Sequence, residues 1–300
     1  MNWIALALIA AAMGGAGNVV EKQLASRYLP SASALMGWLG LTLLGYGVIF
    51  AFIYPFAPGT SVSHIAAIFV AGALYGVSLS ILYRVLKKAE ASRAFPVYNA
   101  APVFVAILSV FVLGNPLSAW QWVAVLVTVL GAVVISAERG SGVLGFSLNS
   151  NFFVLLLAAA IVGGAHVLTS YAMDEMEPMT AFWAMRLGCF ALVLVNWRKD
   201  TAGQILESAR KPVVLLLVLV FEAGLMPLAH VFMMRAFATG PVALVSTLFS
   251  SVPIWVLLIS TLLSSSWFKV MDEPVQKRAL ALKVVAIAMV VGGVALITLL

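Results

Sequence analysis

Long apolar runs separated by short polar segments fill the chain from end to end. Ten of these runs have the length of about 20 residues that an α-helix needs to cross the hydrocarbon core of a bilayer. They are about twice as long as a barrel strand and do not alternate apolar with polar positions, so they predict helices. The predicted spans cover approximately residues 2–20, 33–54, 64–86, 94–114, 119–137, 152–173, 179–197, 212–236, 241–263 and 280–300.

The two halves of the chain resemble each other in sequence. Gly14-Gly15-Ala16 in the first span matches Gly163-Gly164-Ala165 in the sixth at an offset of 149 residues. Arg84 at the end of the third span matches Arg235 at the end of the eighth at an offset of 151 residues. Pro102 and Pro253, each 18 residues after one of these arginines, match at the same offset. These matches indicate an internal repeat.

Five predicted spans precede the loop around residues 140–150 and five follow it. A repeat with an odd number of spans places its second copy upside down in the membrane, which is typical of alternating-access transporters. The sequence therefore predicts an all-α polytopic membrane protein of ten transmembrane helices. These form two inverted five-helix repeats, residues 1–140 and 151–300.

Composition excludes most other classes of protein. Hydrophobic residues make up 63% of the chain and charged residues 9%, against about 45–50% and about 25% in soluble domains. The single cysteine, Cys189, excludes an intramolecular disulfide and a cysteine metal cluster. His64, His166 and His230 lack metal-ligand spacing and no ATP-binding loop is present, so we expect no metal, no cofactor and no enzymatic activity.

Basic residues predict the orientation in the membrane. Of the 17 Lys and Arg residues, 15 lie in or beside the loops that follow odd-numbered spans, so these loops are predicted to face the cytoplasm and both termini the outside. The net charge of +6 is not gathered into a basic tract, which argues against nucleic-acid binding. We expect a multi-pass protein of the inner or plasma membrane, surrounded by lipid.

Motifs around the third to fifth spans resemble a known family. The stretches are Arg84–Ser92 (RVLKKAEAS), Asn99–Phe104 (NAAPVF) and Leu113–Ser118 (LGNPLS). They are similar to the drug/metabolite transporter superfamily, specifically its EamA-type ten-helix members, over essentially the whole chain. The resemblance implies a secondary transporter of small metabolites such as amino acids. Asn115 stands where the family often has Glu, and many members are drawn with both termini inside.

Glu222 is the strongest candidate for a functional residue within the spans. It lies about ten residues into the eighth predicted span, or ~15 Å along a helix, near the middle of the bilayer. Acids at this depth are costly and tend to face a bundle interior or a water-filled cavity. Glu222 is predicted either to contact a substrate amine or carry a proton, or to pair structurally with Arg186 in the seventh span.

Other polar or aromatic residues within the spans are weaker candidates. His230 shares a broad helical face with Glu222, and His166 lies one turn from Ser170; either histidine contacts substrate or proton, or is simply hydrogen-bonded within the bundle. Two groups precede a proline within a span and predict cavity lining or a packing kink. The first group is Tyr98 and Asn99, and the second is Ser250 and Ser251. The remaining candidates are Asn18, Tyr75, Ser78 and Trp183.

Three classes of function are compatible with this pattern to different degrees. The first is a monomeric secondary transporter that exports small metabolites such as amino acids, with proton coupling and facilitated diffusion both open. The alternative is an exporter of drugs and organic cations, which needs an unpaired intramembrane carboxylate and aromatic walls. A membrane enzyme, channel or receptor is disfavoured, because the sequence shows no nucleophile–base pair within the spans and no soluble domain.

Overall fold

The structure, a computed structural model, describes most of the chain. The described residues are 2–87, 89, 91–113, 118–120, 122–123, 126–127, 130–131, 138–139, 146–147, 150–239, 248–249, 251–264, 284–285, 288–289, 291–293 and 296.

The helices of the first half begin close to their predicted positions. They are α1 (Trp3–Gln23), which continues as a π-helix (Leu24–Tyr28), α2 (Ala32–Ile53), α3 (Val62–Leu86), α4 (Ala91–Tyr98) and α5 (Ala101–Leu113). Side-chain oxygens mark three of these beginnings. Asn2 accepts from the Ile4 N–H, Ser31 from the Ala34 N–H and Ser61 from the His64 N–H, and each satisfies a donor that the first helical turn leaves open.

The second half adds one helix that the sequence did not predict. The elements are α6 (Ser150–Met173), α7 (Pro178–Cys189), α8 (Ala191–Asn196), α9 (Thr201–Ala209), α10 (Pro212–Leu217), a π-helix (Val218–Leu225), α11 (Met226–Thr239) and α12 (Val252–Ser264). The unpredicted helix is α9, whose nine residues are too short and too polar to cross a bilayer. It lies in a predicted loop.

A short β-ladder lies between the halves, where the sequence predicts a loop. Strand β1 (Glu138–Arg139) pairs antiparallel with β2 (Phe146–Ser147). With two residues in each strand, it is a local feature of an otherwise helical chain.

Six helical segments within the described residues are long and apolar enough to cross a membrane. They are Trp3–Tyr28, Ala32–Ile53, Val62–Leu86, Ser150–Met173, Pro178–Asn196 and Pro212–Ala236. These match six of the ten predicted spans. The predicted span 94–114 is divided into α4 and α5 at Asn99 and Ala100, because Pro102 disfavours a helical conformation before it and cannot donate to the Tyr98 carbonyl. The predicted spans 119–137, 241–263 and 280–300 lie partly outside the described residues.

Helices of one half pack mainly against helices of the other half. Helix α1 packs against α11 and α12, while α6 packs against α3 and α5. Helix α2 packs against α7. The neighbours are therefore reciprocal: the first span of each half contacts the third and fourth spans of the other half.

Glycines permit the closest of these approaches. A Cβ on Gly15 of α1 would lie 2.5 Å from the Trp255 Cβ of α12, and one on Gly163 of α6 would lie 2.8 Å from the Phe104 Cβ of α5. Both distances are shorter than real carbon contacts, so neither position accepts a side chain without moving its neighbour. Gly15 and Gly163 therefore permit close helix packing between the halves.

Candidate functional site

A cavity lies between the two halves of the bundle. Helices α1, α2, α3, α4, α7 and α11, the π-helix before α11 and α12 all contribute to its wall. Its volume is about 100 Å³, which is room for several water molecules. Its polar and aromatic lining consists of Asn18, Glu21, Thr42, Tyr46, Tyr75, Tyr83, Phe95, Tyr98, Asn99, Phe182, Arg186, Glu222, His230 and Phe249.

Glu222 reaches the cavity from an irregular part of its span. It lies in the π-helix Val218–Leu225, directly before Met226-Pro227. Pro227 has no N–H to donate to the Ala223 carbonyl, so the regular hydrogen-bond ladder is interrupted here. Glu222 is 4% exposed, and its Oε1 has no hydrogen-bond partner among the described residues.

Glu21 is a second carboxyl group in the same cavity. It lies on α1, three residues beyond Asn18 and on the same face, and it is only 1% exposed. The Tyr83 hydroxyl lies beside this carboxyl group, while Oε2 has no partner among the described residues. The carboxyl groups of Glu21 and Glu222 are close enough to interact electrostatically.

Arg186 is the basic side chain of the cavity. It is 4% exposed, and its Cζ lies 5.2 Å from the Phe182 ring centroid and 5.8 Å from that of Tyr75, within cation–π range. Its Nε and Nη2 have no hydrogen-bond partner among the described residues. These two nitrogens form one edge of the guanidinium, and this edge binds a carboxylate through two parallel hydrogen bonds.

The predicted structural pairing of Glu222 with Arg186 is not formed in this conformation. Within the described part of the chain, the side-chain ion pair found is between His64 and Glu175, and it involves neither Glu222 nor Arg186. Two acids and one base therefore face a shared cavity while each retains unpartnered polar atoms.

Neutral polar groups complete the site. The Nδ1 of His230 donates to the Met226 carbonyl at 2.8 Å, which leaves the other ring nitrogen as an acceptor. Asn99 donates to the Phe95 carbonyl at 2.8 Å and so satisfies backbone at the break between α4 and α5. Ser78 holds Tyr98 in place: its hydroxyl lies 3.3 Å from the Tyr98 hydroxyl and donates to the Ala158 carbonyl at 2.7 Å.

Comparison with known proteins identifies the first part of the chain. Residues 1–137 match the EamA-like transporter family. The family lies within the drug/metabolite transporter superfamily, as the resemblance implied, and the match indicates a transporter of this type.

Comparison with solved structures concerns the fold of the whole chain. Among solved structures, one crystal structure aligns with 97% of this chain and 96% of its own chain, with a TM-score of 0.52 and 18% sequence identity. At this identity the match shows a shared fold alone. No curated protein sequence matches the chain.

Most of the predicted site residues meet at the cavity. Seven of them line it: Asn18, Tyr75, Tyr98, Asn99, Arg186, Glu222 and His230. Ser78 lies directly behind Tyr98. Ser250 lies outside the described residues.

Three predicted residues lie elsewhere in the structure. His166 is half-buried on α6, and Ser251 is half-buried before α12 with its hydroxyl unpartnered among the described residues. The Trp183 indole donates to the Tyr54 carbonyl at 2.7 Å and packs on Phe56, which places it beyond the cavity at a loop.

Sequence reasoning missed Glu21, Tyr46 and Tyr83. Glu21 was assigned to a loop because the apolar run was predicted to end at residue 20, whereas α1 continues to Gln23. A signal was present: Gly14, Asn18 and Glu21 are spaced by four and then three residues, which places all three on one face of a helix.

Hydrogen bonds between and within the halves close the bundle at the basic end, defined by Lys22, Arg84, Lys87, Arg198 and Lys211. Arg84 Nη2 donates to Asn196 Oδ1 at 2.6 Å, and the Trp38 indole donates to the Ser208 hydroxyl at 2.9 Å. Lys22 Nζ donates to the carbonyls of Leu86 at 2.5 Å and Ala89 at 2.7 Å, at the carboxyl end of α3, where a cation is favourable.

A second set of contacts closes the acidic end, defined by Asp174, Glu175 and Glu177. Glu175 Oε2 accepts from the Ser61 N–H at 2.9 Å and lies 3.4 Å from His64 Nδ1. The Ser61 backbone bond, and secondarily the charge of His64, lowers the pKa of the Glu175 carboxyl group below its usual value. The His64 ring stacks on Tyr171 at 4.3 Å between centroids.

Proposed function

We propose that the chain is a secondary transporter that exports zwitterionic amino compounds, such as α-amino acids, across the cell membrane. The observation that carries the proposal is the set of unpartnered groups in the cavity. Arg186 presents an open two-nitrogen edge, and Glu21 and Glu222 each present an open carboxyl oxygen. An α-amino acid carries the complementary pair, a carboxylate and an ammonium, on one carbon.

The physics of buried charge explains why such a set favours a ligand. A buried charge without a partner is costly, and each of these residues is almost fully buried. A carboxylate at Arg186 and an ammonium at Glu222 satisfy both kinds of charge at once. The aromatic rings of Tyr75 and Phe182 keep the guanidinium in place without using its hydrogen-bonding edge.

Export of organic cations is the second candidate function. The two carboxyl groups and the rings of Tyr46, Tyr75, Tyr83 and Tyr98 around the cavity favour it. Arg186 disfavours it, because an unpaired guanidinium repels a cation that brings no carboxylate. Amino compounds with a carboxylate therefore fit the described cavity better.

The proposed mechanism is alternating access between two inverted repeats, residues 1–140 and 151–300, within a monomer. The reciprocal packing of α1 on α11 and α12 and of α6 on α3 and α5 supports it. So does the position of the cavity between contacts that tie the halves together at both ends. A family match that ends at residue 137 agrees with a repeat boundary near residue 140.

Orientation is proposed from the basic residues. The basic end faces the cytoplasm by the distribution of Lys and Arg, and both termini then lie outside. Export in this orientation means that the cavity loads substrate through the basic end and releases it at the acidic end. Protons are the proposed coupling ion, because the cavity holds two carboxyl groups.

Flux in proteoliposomes tests this function. We expect labelled amino acids to cross in the presence of the wild-type protein and a pH gradient, and Glu222→Gln to reduce this flux at least tenfold. Glu207→Gln is the matched control, since Glu207 lies exposed on α9 and its loss should change nothing. Absence of amino-acid flux with folded protein would refute the proposal, and flux of organic cations alone would favour the second candidate.

A further inference from the structure

Binding of a neutral amino acid leaves one buried acid unused. The charged groups that face the cavity within the described residues are Glu21, Glu222 and Arg186. A neutral amino acid offers one ammonium and one carboxylate, which engage one acid and the arginine. The other acid keeps an unpartnered oxygen in a site where each of the three charged side chains is at most 4% exposed.

The net charge of the cavity decides what else must enter with the substrate. Two ionised acids and one guanidinium give a net charge of minus one, and a zwitterion adds none. An uncompensated charge in a low-dielectric site is strongly unfavourable. One additional positive charge restores neutrality, and it comes either as a proton on an acid or as a second ammonium on the substrate.

We propose that the cavity binds one net positive charge together with an amino acid: a neutral amino acid binds with a proton held by Glu21 and Glu222, and a dibasic amino acid binds without one. This inference rests on the proposed function. In the dibasic substrate the second ammonium takes the place of the proton. Either ligand then brings the same charge to the cavity, but only the neutral one needs a proton to do so.

The geometry assigns the proton or second ammonium to Glu21 when the substrate's α-ammonium contacts Glu222. Glu21 lies beside the Tyr83 hydroxyl and keeps Oε2 open. The other titratable groups that line the described cavity are His230 and the tyrosines Tyr46, Tyr75, Tyr83 and Tyr98. His230 is the competing proton acceptor, since the nitrogen opposite Nδ1 is available, and His166 lies near enough to it to interact electrostatically.

A matched pair of ligands isolates this charge. Norleucine is lysine without the side-chain ammonium, so the two differ by one positive charge at nearly constant shape. Calorimetric binding to the purified full-length protein, in buffers of different ionisation enthalpy, counts the protons exchanged with each ligand. We expect lysine binding to take up one proton fewer, or release one proton more, than norleucine binding.

Substitution of Glu21 should favour the binding of norleucine over that of lysine. In Glu21→Gln the cavity is neutral when Glu222 and Arg186 are ionised, so norleucine binding should lose its pH dependence. Lysine should bind at least tenfold more weakly. Retained norleucine binding shows that the variant is folded, and the wild-type proton count stands as a test on its own. Glu207→Gln is the matched control.

The outcomes separate this inference from the proposed function. Equal proton counts for lysine and norleucine in the wild type overturn the inference while leaving amino-acid transport intact. The inference also fails if the difference of one proton is abolished in His230→Gln but persists in Glu21→Gln. Failure of the folded wild-type protein to bind either ligand refutes the proposed function and the inference with it.

Discussion

Arg186 should discriminate between amino acids and the amines that lack their carboxylate. Its open edge of Nε and Nη2 can form two charge-assisted hydrogen bonds with a carboxylate. Hydrogen bonds to charged groups contribute about 1.5–3 kcal/mol each, and a second bond on the same group adds less than the first. We therefore expect Arg186→Gln to weaken amino-acid binding by about 2–3 kcal/mol, or roughly 30- to 150-fold in Kd.

The decarboxylated amine provides the control within the same protein. It makes no bond to the guanidinium, and removal of this positive charge leaves Glu21 and Glu222 to attract it, so its affinity should rise or stay the same. Competition of an amino acid and its amine against one labelled ligand measures both values. Arg186→Lys, which keeps the charge but not the two-nitrogen edge, should retain part of the amino-acid affinity. Equal losses for the amino acid and the amine in Arg186→Gln would refute the assignment of Arg186 to the carboxylate.

Three further substitutions test how the helices are held together. Gly15→Ala places a Cβ 2.5 Å from the Trp255 Cβ and should lower the Tm through overpacking that costs about 1–3 kcal/mol. Gly203→Ala on α9, where nothing lies within 4 Å, should leave the Tm unchanged or higher; equal Tm values for the two variants would contradict the close packing of α1. Glu175→Gln should lower the Tm at neutral pH. The folded-state pKa of Glu175 lies below its ordinary value of about 4.3. The difference in Tm from wild type should therefore be complete above that value and vanish as the pH falls through the lowered pKa. A pH-independent difference in Tm would contradict the ionic contact. Asn196→Ala removes the acceptor of Arg84 and should speed alkylation, from the basic end, of a cysteine introduced by Thr42→Cys in the cavity wall severalfold, while an unchanged rate would show that this bond does not restrict access.

Hydropathy predicted the helices whose ends coincide with a change from apolar to polar sequence. It placed Ala32–Ile53 and Val62–Leu86 within about two residues at each end. It ended the first span too early, because Glu21 and Lys22 interrupt the apolar run although Glu21 is buried in the bundle. Hydropathy measures transfer to lipid, and a residue that faces an internal polar cavity is not transferred to lipid.

Position along a span predicted the depth of Glu222 in the membrane, but its pairing with Arg186 could not be predicted in the same way. A helix rises 1.5 Å per residue, so position alone placed Glu222 near the middle of the membrane. Whether Arg186 meets it depends on helix rotation, on the π-helix around Glu222 and on the side-chain conformation over Tyr75 and Phe182. These are properties of tertiary packing, and the sequence left both alternatives open for that reason.

The two closed ends of the bundle differ in how readily water can replace their hydrogen bonds. At the basic end, Asn196 is buried and links Arg84 with Ser80 by bonds of 2.6 Å. At the acidic end, Glu175 is an exposed loop residue whose bonds to Ser61 and His64 form beside solvent. Exposed polar contacts exchange with water at little net cost, whereas a buried group that loses its partner keeps the full desolvation penalty. We therefore expect the acidic end to open first from this conformation. Release of substrate at the acidic end, as the proposed export requires, is therefore the less costly of the two openings.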